Sequence, residues 1–468
     1  MMKSTVFVLL VAAFILWSSC STTPGPAPDL QKGRLLSFGQ GGQIKMLYDR
    51  RQRPPAVLLG DKLHIVFNAG REASKKKKPQ TRPQAITYDL ATRQFSAIIT
   101  LGSPDGDHHY GPVIWADTDN FLHVLHGCHR TPGTHLISNN PASIGSSRKD
   151  WRQGPQIAGG ISYPTVYKIA DDRFLMYYRT AGHISSWTYR ISADNGLSWT
   201  GPEQDVTDMD SKGRFEWSSY HTVLPSEDGR FLHVAFFAYD DNRSNEPERY
   251  FNPRYQQAVS NEWKYNLYYL KIDLQTGDVL NVEGEKMDTP IDIDQANARC
   301  RIWDTEWRGA GVPPTILLDE EGDPTFLHVL SGKSTQDHHY YYVHLNNGKW
   351  EKTRITASNH QWNSCHLSRG QDGTLLAYLI VGEGYVESEN YMDRYGGGDL
   401  EEWISEDQGM SWRKNRDLTP DRSIYPNWKY NNVQPVTRAD GRLVDGMLLF
   451  YGWGEGESPE VKAFLLHE

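Results

Sequence analysis

The sequence predicts an all-β chain, specifically a seven-bladed β-propeller with four-stranded antiparallel blades. Three observations support this prediction: a recurring pair of short apolar strands, turns rich in Asp and Gly within each pair, and 12% aromatic residues. Strand pairs that recur along a whole chain are typical of propellers, in which each blade buries its faces against the neighbouring blades. At 468 residues, the chain is also too long for one compact two-layer domain.

The repeat is a short strand, a tight polar turn and a second apolar strand, the pattern of a β-hairpin. Its seven copies, which we number repeats 1 to 7, begin at Pro54, Gly111, Tyr163, Tyr220, Pro313, Ser364 and Gln434. Two further strands follow most copies, which gives four strands per repeat. The C-terminal sequence KAFLLHE is expected to pair with residues 34–38 and close the ring, so that no sheet edge is left exposed.

One position in the second strand of the repeat is histidine in four copies. These residues are His64, His123, His233 and His328. Because the position recurs in mid-strand, we expect these four histidines to serve packing. Two segments, beginning at Ser192 and Ser405, share the pattern S-x-D-x-G-x-x-W. This pattern predicts a turn capped by Asp, with Gly at a positive φ and Trp packed between strands.

The N-terminus predicts export. Lys3 precedes an apolar run that ends near Trp17, so residues 1–19 resemble a signal peptide that is too short for a confident membrane span. Small residues before Cys20 predict lipidation of that cysteine, with residues 20–33 as a tether and 34–468 as a single propeller domain. The expectation is a monomeric, membrane-anchored lipoprotein, with a secreted protein as the alternative. Three cysteines remain, which allows at most one disulfide.

The formal net charge of −9 argues against a nucleic-acid-binding surface. The same net charge is compatible with a small basic groove within an otherwise acidic surface. The loop from Arg71 to Arg82 carries four consecutive lysines, Lys75 to Lys78, and could attract a sulfated chain. A charge run of this kind is more often a solvated loop.

In a propeller, residues next to the innermost strands meet around the central axis. Repeats 2 to 4 bring chemically useful side chains to these positions. They are His108, His109, His126, His129, Tyr163, Arg179, Tyr220 and His221. Together they provide what β-elimination at a uronic acid requires. An arginine neutralises the carboxylate, a neutral histidine or ionised tyrosine takes the C5 proton, and a tyrosine protonates the leaving oxygen.

The chain resembles the BNR-repeat family that includes the propeller-type ulvan lyases, and the resemblance extends over all seven repeats. It implies His109, Tyr163 and His129 as catalytic residues and Arg179 as the carboxylate partner. His108 competes with His109, and His126 with His129. Residues expected to complete the sugar site are His183, Tyr220 and His221. The resemblance also implies ulvan, a sulfated polymer of rhamnose and uronic acids, as substrate.

This chemistry requires no metal or organic cofactor. The sequence is nevertheless compatible with a structural metal ion. Ligand-type residues include Cys300, Cys365, His366 and His221, but no zinc-motif spacing joins them. Two alternative functions remain. One is a sialidase-like hydrolase, for which the arginine-rich YDRRQRPP is suggestive at most. The other is a non-catalytic glycan-binding propeller on the cell surface.

Overall fold

The computed structural model describes residues 34–43, 45–72, 80–183, 185–208, 217–240, 251–259, 263–382, 391–456 and 458–468. The predicted signal peptide, Cys20 and its tether, Lys75–Lys78 and much of the insertion between residues 242 and 263 lie outside these ranges. Helices in the described chain are short, at His108–Tyr110, Arg148–Asp150, Ile293–Gln295, Ala296–Cys300 and Tyr391–Tyr395. None of the described helices has the length and apolar character needed to cross a membrane.

Each predicted repeat forms an antiparallel strand pair. In order, the pairs are Ala56–Leu59 with Lys62–Glu72, Val113–Ala116 with Leu122–His126, Ile161–Lys168 with Phe174–Arg179, Trp217–Pro225 with Phe231–Asp240, Thr315–Leu318 with Pro324–Ser331, Cys365–Arg369 with Leu375–Val381, and Lys429–Arg438 with Leu443–Trp453. A third strand follows in every repeat: Gln80–Asp89, Thr134–Ser138, Trp187–Ser192, Lys264–Asp273, His338–Asn346, Asp399–Ser405 and Val461–His467.

Shorter strands complete the sheets. These are Gln94–Phe95 and Ile99–Thr100 in repeat 1, Trp151–Gln153 in repeat 2, His129–Thr131 in repeat 3, Val279–Leu280, Lys286–Met287 and Arg301–Trp303 in repeat 4, Lys349–Ala357 in repeat 5, Arg413–Asp417 in repeat 6 and Arg34–Phe38 in repeat 7. A separate hairpin pairs Phe251–Asn252 with Gln257–Ala258. Four of the sheets have four strands each, as a propeller requires.

The two ends of the described chain meet in one sheet. Arg34–Phe38 pairs antiparallel with Val461–His467, from Arg34 opposite His467 to Phe38 opposite Ala463. The predicted closing pair is therefore confirmed. Val57 and Leu58 of repeat 1 also pair with Thr437 and Arg438 of repeat 7, which joins these two repeats into one nine-stranded sheet.

The four repeated histidines are buried, as predicted from their mid-strand position. His64 Nδ1 lies 2.9 Å from Thr87 Oγ1, and His233 Nδ1 lies 2.7 Å from Tyr269 Oη. His123 and His328 are fully enclosed. The described cysteines, Cys128, Cys300 and Cys365, are free thiols in the core, so the fold is stabilised by apolar packing between sheets.

The two S-x-D-x-G-x-x-W segments fold into the same turn. Ser198 N donates to Asp194 Oδ1 at 2.8 Å, and Ser411 N donates to Asp407 Oδ1 at 2.9 Å. The glycines at the fifth position have φ values of +80° and +92°, a region that L side chains rarely adopt. The predicted capping of this turn by Asp is therefore confirmed at both places.

A charged segment before repeat 1, which we call the central segment and define as residues 45–53, is buried among several repeats. Arg53 N donates to Pro164 O of repeat 3 at 3.1 Å, and Arg53 Nε donates to Gln434 Oε1 of repeat 7 at 2.7 Å. Arg50 Nη2 contacts Cys365 of repeat 6. Because it contacts repeats 3, 6 and 7, which are far apart in the sequence, the central segment lies where several repeats meet.

Candidate active site

Asp107 holds two histidines together beside repeat 2. Its Oδ1 accepts from His109 Nδ1 at 2.5 Å, its Oδ2 accepts from His129 Nδ1 at 2.9 Å, and the two imidazole rings stack with centroids 4.2 Å apart. Because a carboxylate accepts from each Nδ1–H, each ring carries its lone pair on Nε2. His129 Nε2 is buried and has no hydrogen-bond partner within the described residues.

Burial is the main cause that lowers the pKa of His109, to about 3, because it outweighs the attraction of Asp107. His109 is therefore a neutral imidazole at physiological pH and can accept a proton. The side chain of His109 remains 21% exposed, which is more than that of His129 and less than that of Asp107. His109 is thus the histidine that a ligand reaches first.

The geometry distinguishes the competing histidines. His129 shares Asp107 with His109, whereas His126 packs beside Gly102, where a Cβ atom would lie 2.8 Å from its ring. His108 lies next to His109, with ring centroids 4.1 Å apart, but it faces Tyr395 and Tyr48. His109 and His129 therefore form the pair that faces repeat 3.

Tyr163 lies at an irregularity of the strand Ile161–Lys168, where the register shifts between Ser162 and Thr165. Its φ is +59°, and it precedes Pro164. A non-glycine residue in this region costs about 1–3 kcal/mol, and such strain is concentrated at functional sites. The Tyr163 ring lies 5.8 Å from the His109 ring and 6.2 Å from the His129 ring. Its hydroxyl is buried without a hydrogen-bond partner in the described chain.

Arg179 ends the neighbouring strand and pairs in register with Ser162. Its guanidinium carbon lies 4.7 Å from the centre of the Tyr163 ring and 5.2 Å from that of Tyr220. Nη1 donates to Tyr239 Oη at 3.5 Å, while Nε and Nη2 are buried without partners among the residues described. Unpaired buried donors are costly, so two of them on one guanidinium indicate a site for a ligand that accepts hydrogen bonds.

Tyr220 lies in the same cluster, against Tyr163 and Arg179. Its ring contacts Tyr163 at 5.6 Å and stacks on Tyr239 at 5.0 Å. Burial alone would raise the pKa of Tyr220, but positive charge at Arg179, Arg51, His183 and Lys264 lowers it to about 7. The two tyrosines therefore differ, because burial and the neighbouring Tyr220 raise the pKa of Tyr163 above its ordinary value.

His183 lies at the edge of the cluster, with its ring 6.4 Å from Tyr239. His221 does not join the site, which corrects the sequence-based expectation. Its Nδ1 lies 2.8 Å from Tyr177 Oη, its Nε2 lies 2.8 Å from Ser219 Oγ, and its ring stacks on Trp187. Successive residues of a strand point to opposite faces, so when Tyr220 faces the site, His221 faces the core.

The central segment also contributes to this cluster, which the repeat pattern does not predict. Arg51 lies 4.8 Å from the Tyr163 ring centre and 4.3 Å from that of Tyr220, measured from the guanidinium carbon. Asp49 accepts from Arg51 Nε at 2.8 Å and from Lys45 Nζ at 3.3 Å. The sequence signal for this segment is the run of charges in YDRRQRPP, which by itself suggests a hydrolase feature at most.

Within the described residues, one group could offer several metal ligands. It consists of Asp107, His108 and His109, with one ligand atom from each residue within 4.8 Å of the others. Both oxygens of Asp107 already accept from His109 and His129. Cys300 Sγ instead lies against Met287 Sδ, and Cys365 Sγ against Arg50, in separate parts of the core.

The fold and the site together define an all-β repeat protein with a cationic, tyrosine- and histidine-lined cluster near its axis. A family profile described as "BNR repeat-containing family member" matches residues 68–358, which is more than half of the chain. The chain belongs to this BNR repeat-containing family, as its repeats predicted.

Relatives of known activity are similar over much of the chain. An ulvan lyase from Nonlabens ulvanivorans is 21% identical over 373 residues, covering 72% of this chain and 73% of the relative. An ulvan lyase from Alteromonas sp. (strain LOR) is 24% identical over 271 residues, and the match spans 53% of each protein. The present chain thus spans about half the length of the second relative.

A solved structure shows the same fold. It is that of a PL25 ulvan lyase bound to -[GlcA(1-4)Rha3S]-, with a TM-score of 0.73, 16% identity, and coverage of 93% of this chain and 96% of that one. A second polysaccharide lyase structure has a TM-score of 0.60 at 11% identity. At these identities the similarity shows the fold alone.

Proposed function

We propose that this protein is a polysaccharide lyase that cleaves an ulvan-like, sulfated, uronate-containing polysaccharide by β-elimination. The observation that carries this proposal is the unpaired Nε and Nη2 of Arg179 next to Tyr163. A guanidinium edge with two free donors matches a carboxylate in a two-pronged hydrogen bond. The ulvan lyase relatives support the same reaction class.

The proposed reaction begins when Arg179 binds the uronate carboxylate and so acidifies the C5–H bond. His109 Nε2 removes the C5 proton, the electron pair forms the C4–C5 double bond, and the C4–O bond breaks. Tyr163 donates its phenolic proton to the departing oxygen. Water then carries the proton from His109 back to Tyr163. Each proton and each electron pair is accounted for by groups of this chain and solvent.

The protonation states favour this assignment of roles. Burial lowers the pKa of His109 to about 3, so its Nε2 is free to act as a base. Burial raises the pKa of Tyr163, so the phenol keeps its proton until the leaving oxygen gains charge. Asp107 fixes the tautomers of His109 and His129. His129 stacks on His109 and supports its orientation.

A groove next to the histidines supports a polymeric substrate. It encloses about 390 Å³ and is lined by residues that include Asp107, Tyr110, His126 and Arg148. A polysaccharide bound with one uronate at Arg179 would have flanking sugars, and an open groove that reaches Asp107 can hold one of them. Stacking of a sugar on Tyr110 is consistent with such a path.

The proposal is tested by incubating the purified protein with a panel of uronate polysaccharides, including ulvan. Ultraviolet absorbance and new reducing ends are measured in the same samples. A lyase gives absorbance in proportion to new reducing ends, because each cut leaves an unsaturated uronate. A hydrolase gives reducing ends without absorbance, and a non-catalytic glycan-binding protein gives neither. Either of the last two results would overturn the proposal.

We further infer that the seven strand pairs are the seven blades of one propeller over residues 34–468. We also propose that the chain is exported, with residues 1–19 as signal peptide, and is anchored through lipidated Cys20 and the tether 20–33. Mutation of Cys20 to Ala should then move the protein from the membrane fraction to the soluble fraction. Retention at the membrane would contradict lipidation at this residue.

A further inference from the structure

One tryptophan stands out among the described residues because its ring is in solvent. Trp307 is 59% exposed, whereas the other described tryptophans are buried or half-buried. An indole left in water forgoes the stabilisation that burial of so large an apolar side chain gives. A single exposed apolar residue is common on protein surfaces, so the argument for a role depends on how the backbone around Trp307 is held.

The backbone at Trp307 has an unfavourable conformation. Glu306 and Trp307 have φ values of +53° and +67°, a region that L side chains rarely adopt. A turn of this kind would be formed with less strain by glycine. Residues in such conformations persist only where the surrounding structure enforces them, and they are concentrated at ligand-binding and catalytic sites.

The separate hairpin at residues 251–258 enforces this conformation. Asn252 Nδ2 donates to Trp307 O at 2.9 Å, and Trp263 Nε1, shortly after the hairpin, donates to the same oxygen at 3.1 Å. The hairpin is not part of any of the blade sheets. Two side chains from outside the blades therefore fix the backbone of Trp307 while its ring stays uncovered.

The loop that carries Trp307 lies between repeats 4 and 5, at the same end of the sheets as the candidate active site. Tyr239, which contacts Arg179, pairs in register with Lys264, and Lys264 O accepts from Ala310 N at 2.7 Å. Adjacent strands are about 4.8 Å apart, so the loop is about 10 Å, or two strand spacings, from Tyr239. A sugar at Trp307 would therefore be a different residue of the polymer from the uronate at Arg179.

We propose that Trp307 is a substrate-binding residue that stacks on a pyranose ring flanking the uronate held by Arg179. The ligand that it fits is the apolar face of a sugar, such as a 6-deoxyhexose, whose C–H groups pack on the indole. This inference rests on the proposed function for the identity of the polymer. It extends the path of the chain from the groove beside Asp107, past Arg179, to the loop between repeats 4 and 5.

The variant Trp307→Gly separates a binding role from a structural one. Glycine adopts a positive φ without strain, so the melting temperature should equal or exceed that of wild type. Loss of stacking should raise KM on ulvan by about tenfold. The value of kcat should stay near that of wild type, because the reacting groups are unchanged. Trp307→Phe keeps an aromatic ring and should recover most of the loss in KM.

Two further variants serve as matched comparisons. Asn252→Asp removes the donor to Trp307 O but keeps the acceptor of its own turn, so KM should rise by less than in Trp307→Gly. Leu197→Ala removes a side chain that is also exposed, in the turn at the opposite end of the repeat 3 sheet from Arg179. Its KM should match that of wild type.

The length of the substrate provides a second readout, which a merely structural role of Trp307 would not affect. Because Trp307 and Arg179 bind different sugars, the increase in KM caused by Trp307→Gly should grow with the length of the oligosaccharide. We expect the smallest increase on the shortest fragment that wild type cleaves, and the largest on the intact polymer.

An unchanged KM of Trp307→Gly on a polymer that wild type cleaves, or a clear fall in its melting temperature, would overturn this inference and leave the proposed function standing. Wild-type protein that binds ulvan without cleaving it would refute the lyase function alone. The inference is then tested by the dissociation constants for ulvan, where a tenfold weaker Trp307→Gly supports it and equal values overturn it. Wild-type protein that neither binds nor cleaves a uronate polymer would refute both.

Discussion

Two clusters beside repeat 2 each combine one aspartate with two histidines, yet they differ in how the ring nitrogens are used. In the core cluster, His123 Nε2 lies 3.3 Å from Asp117 Oδ2, and His123 Nδ1 lies 3.0 Å from His135 Nε2. His135 Nδ1 lies 2.9 Å from Pro155 O. Every ring nitrogen of the core cluster therefore lies within hydrogen-bond distance of a polar atom.

The second cluster, which we call the central cluster, consists of Asp107, His109 and His129. Asp107 contacts only one nitrogen of each histidine ring. The Nε2 atoms of His109 and His129 have no hydrogen-bond partner in the described part of the chain, although the His129 atom is buried. The difference teaches that the residue types alone do not indicate chemistry. A fully paired histidine stabilises the core, whereas a histidine fixed on one side and unpaired on the other is ready to accept a proton.

The largest expected effect separates the two clusters directly. His109→Asn removes the proposed base and should lower turnover by about 100-fold or more, while the melting temperature stays close to wild type. His123→Asn should do the reverse. It should cost about 1–3 kcal/mol of unfolding free energy, because buried partners lose hydrogen bonds, and folded protein should keep its turnover. Turnover and thermal unfolding of both variants check this contrast, and a His109→Asn enzyme of normal rate would break it.

Two arginines, Arg179 and Arg416, differ in the same way in how many of their donors are paired. Arg416 at the periphery donates to Glu402 and Glu468, whereas Arg179 keeps two unpaired donors. Arg179→Ala should lower kcat/KM by about 100-fold, since both carboxylate binding and acidification of C5–H are lost. Arg416→Ala should leave kcat/KM unchanged. Steady-state kinetics on a cleaved polymer measure both, and equal effects of the two substitutions would contradict the assignment.

A smaller effect is expected for the aspartates. Asp107→Asn no longer fixes both tautomers and should lower kcat by about 10-fold, as loss of a supporting partner commonly does. Asp117→Asn should instead lower stability, because Asp117 Oδ1 also accepts from the backbone N–H groups of Asp119 and Phe121. The matched measurements are kcat and the free energy of unfolding. A change in kcat for Asp117→Asn alone would reverse the roles of the two clusters.

The sequence predicted much of the fold because turn residues and apolar strands recur at regular positions. The closing pair of Arg34–Phe38 with Val461–His467 followed from the same pattern. Tyr163 and Arg179 could be identified from strand ends, which meet near the axis. Neither the positive φ of Tyr163 nor the division between His109 and His108 could be predicted, because both depend on local backbone geometry.

Two departures from the prediction have physical causes. Arg51 and Asp49 lie in a segment outside the repeats, so no periodicity indicated that they would meet repeats 3 and 4. The sequence-based prediction places His221 in the site together with Tyr220, although neighbouring residues of a strand point to opposite faces. Strict use of that alternation would have excluded His221 from the sequence alone.

The central claim is that the buried cluster around Tyr163 performs chemistry and is not only packing. Its most direct test is Tyr163→Phe, measured for thermal stability, oligosaccharide affinity and cleavage rate in parallel. Because the Tyr163 hydroxyl is buried without a partner in the described chain, its removal should leave the melting temperature equal or higher. We predict affinity within about threefold of wild type and a cleavage rate reduced by about 100-fold or more. An unchanged cleavage rate would contradict the account.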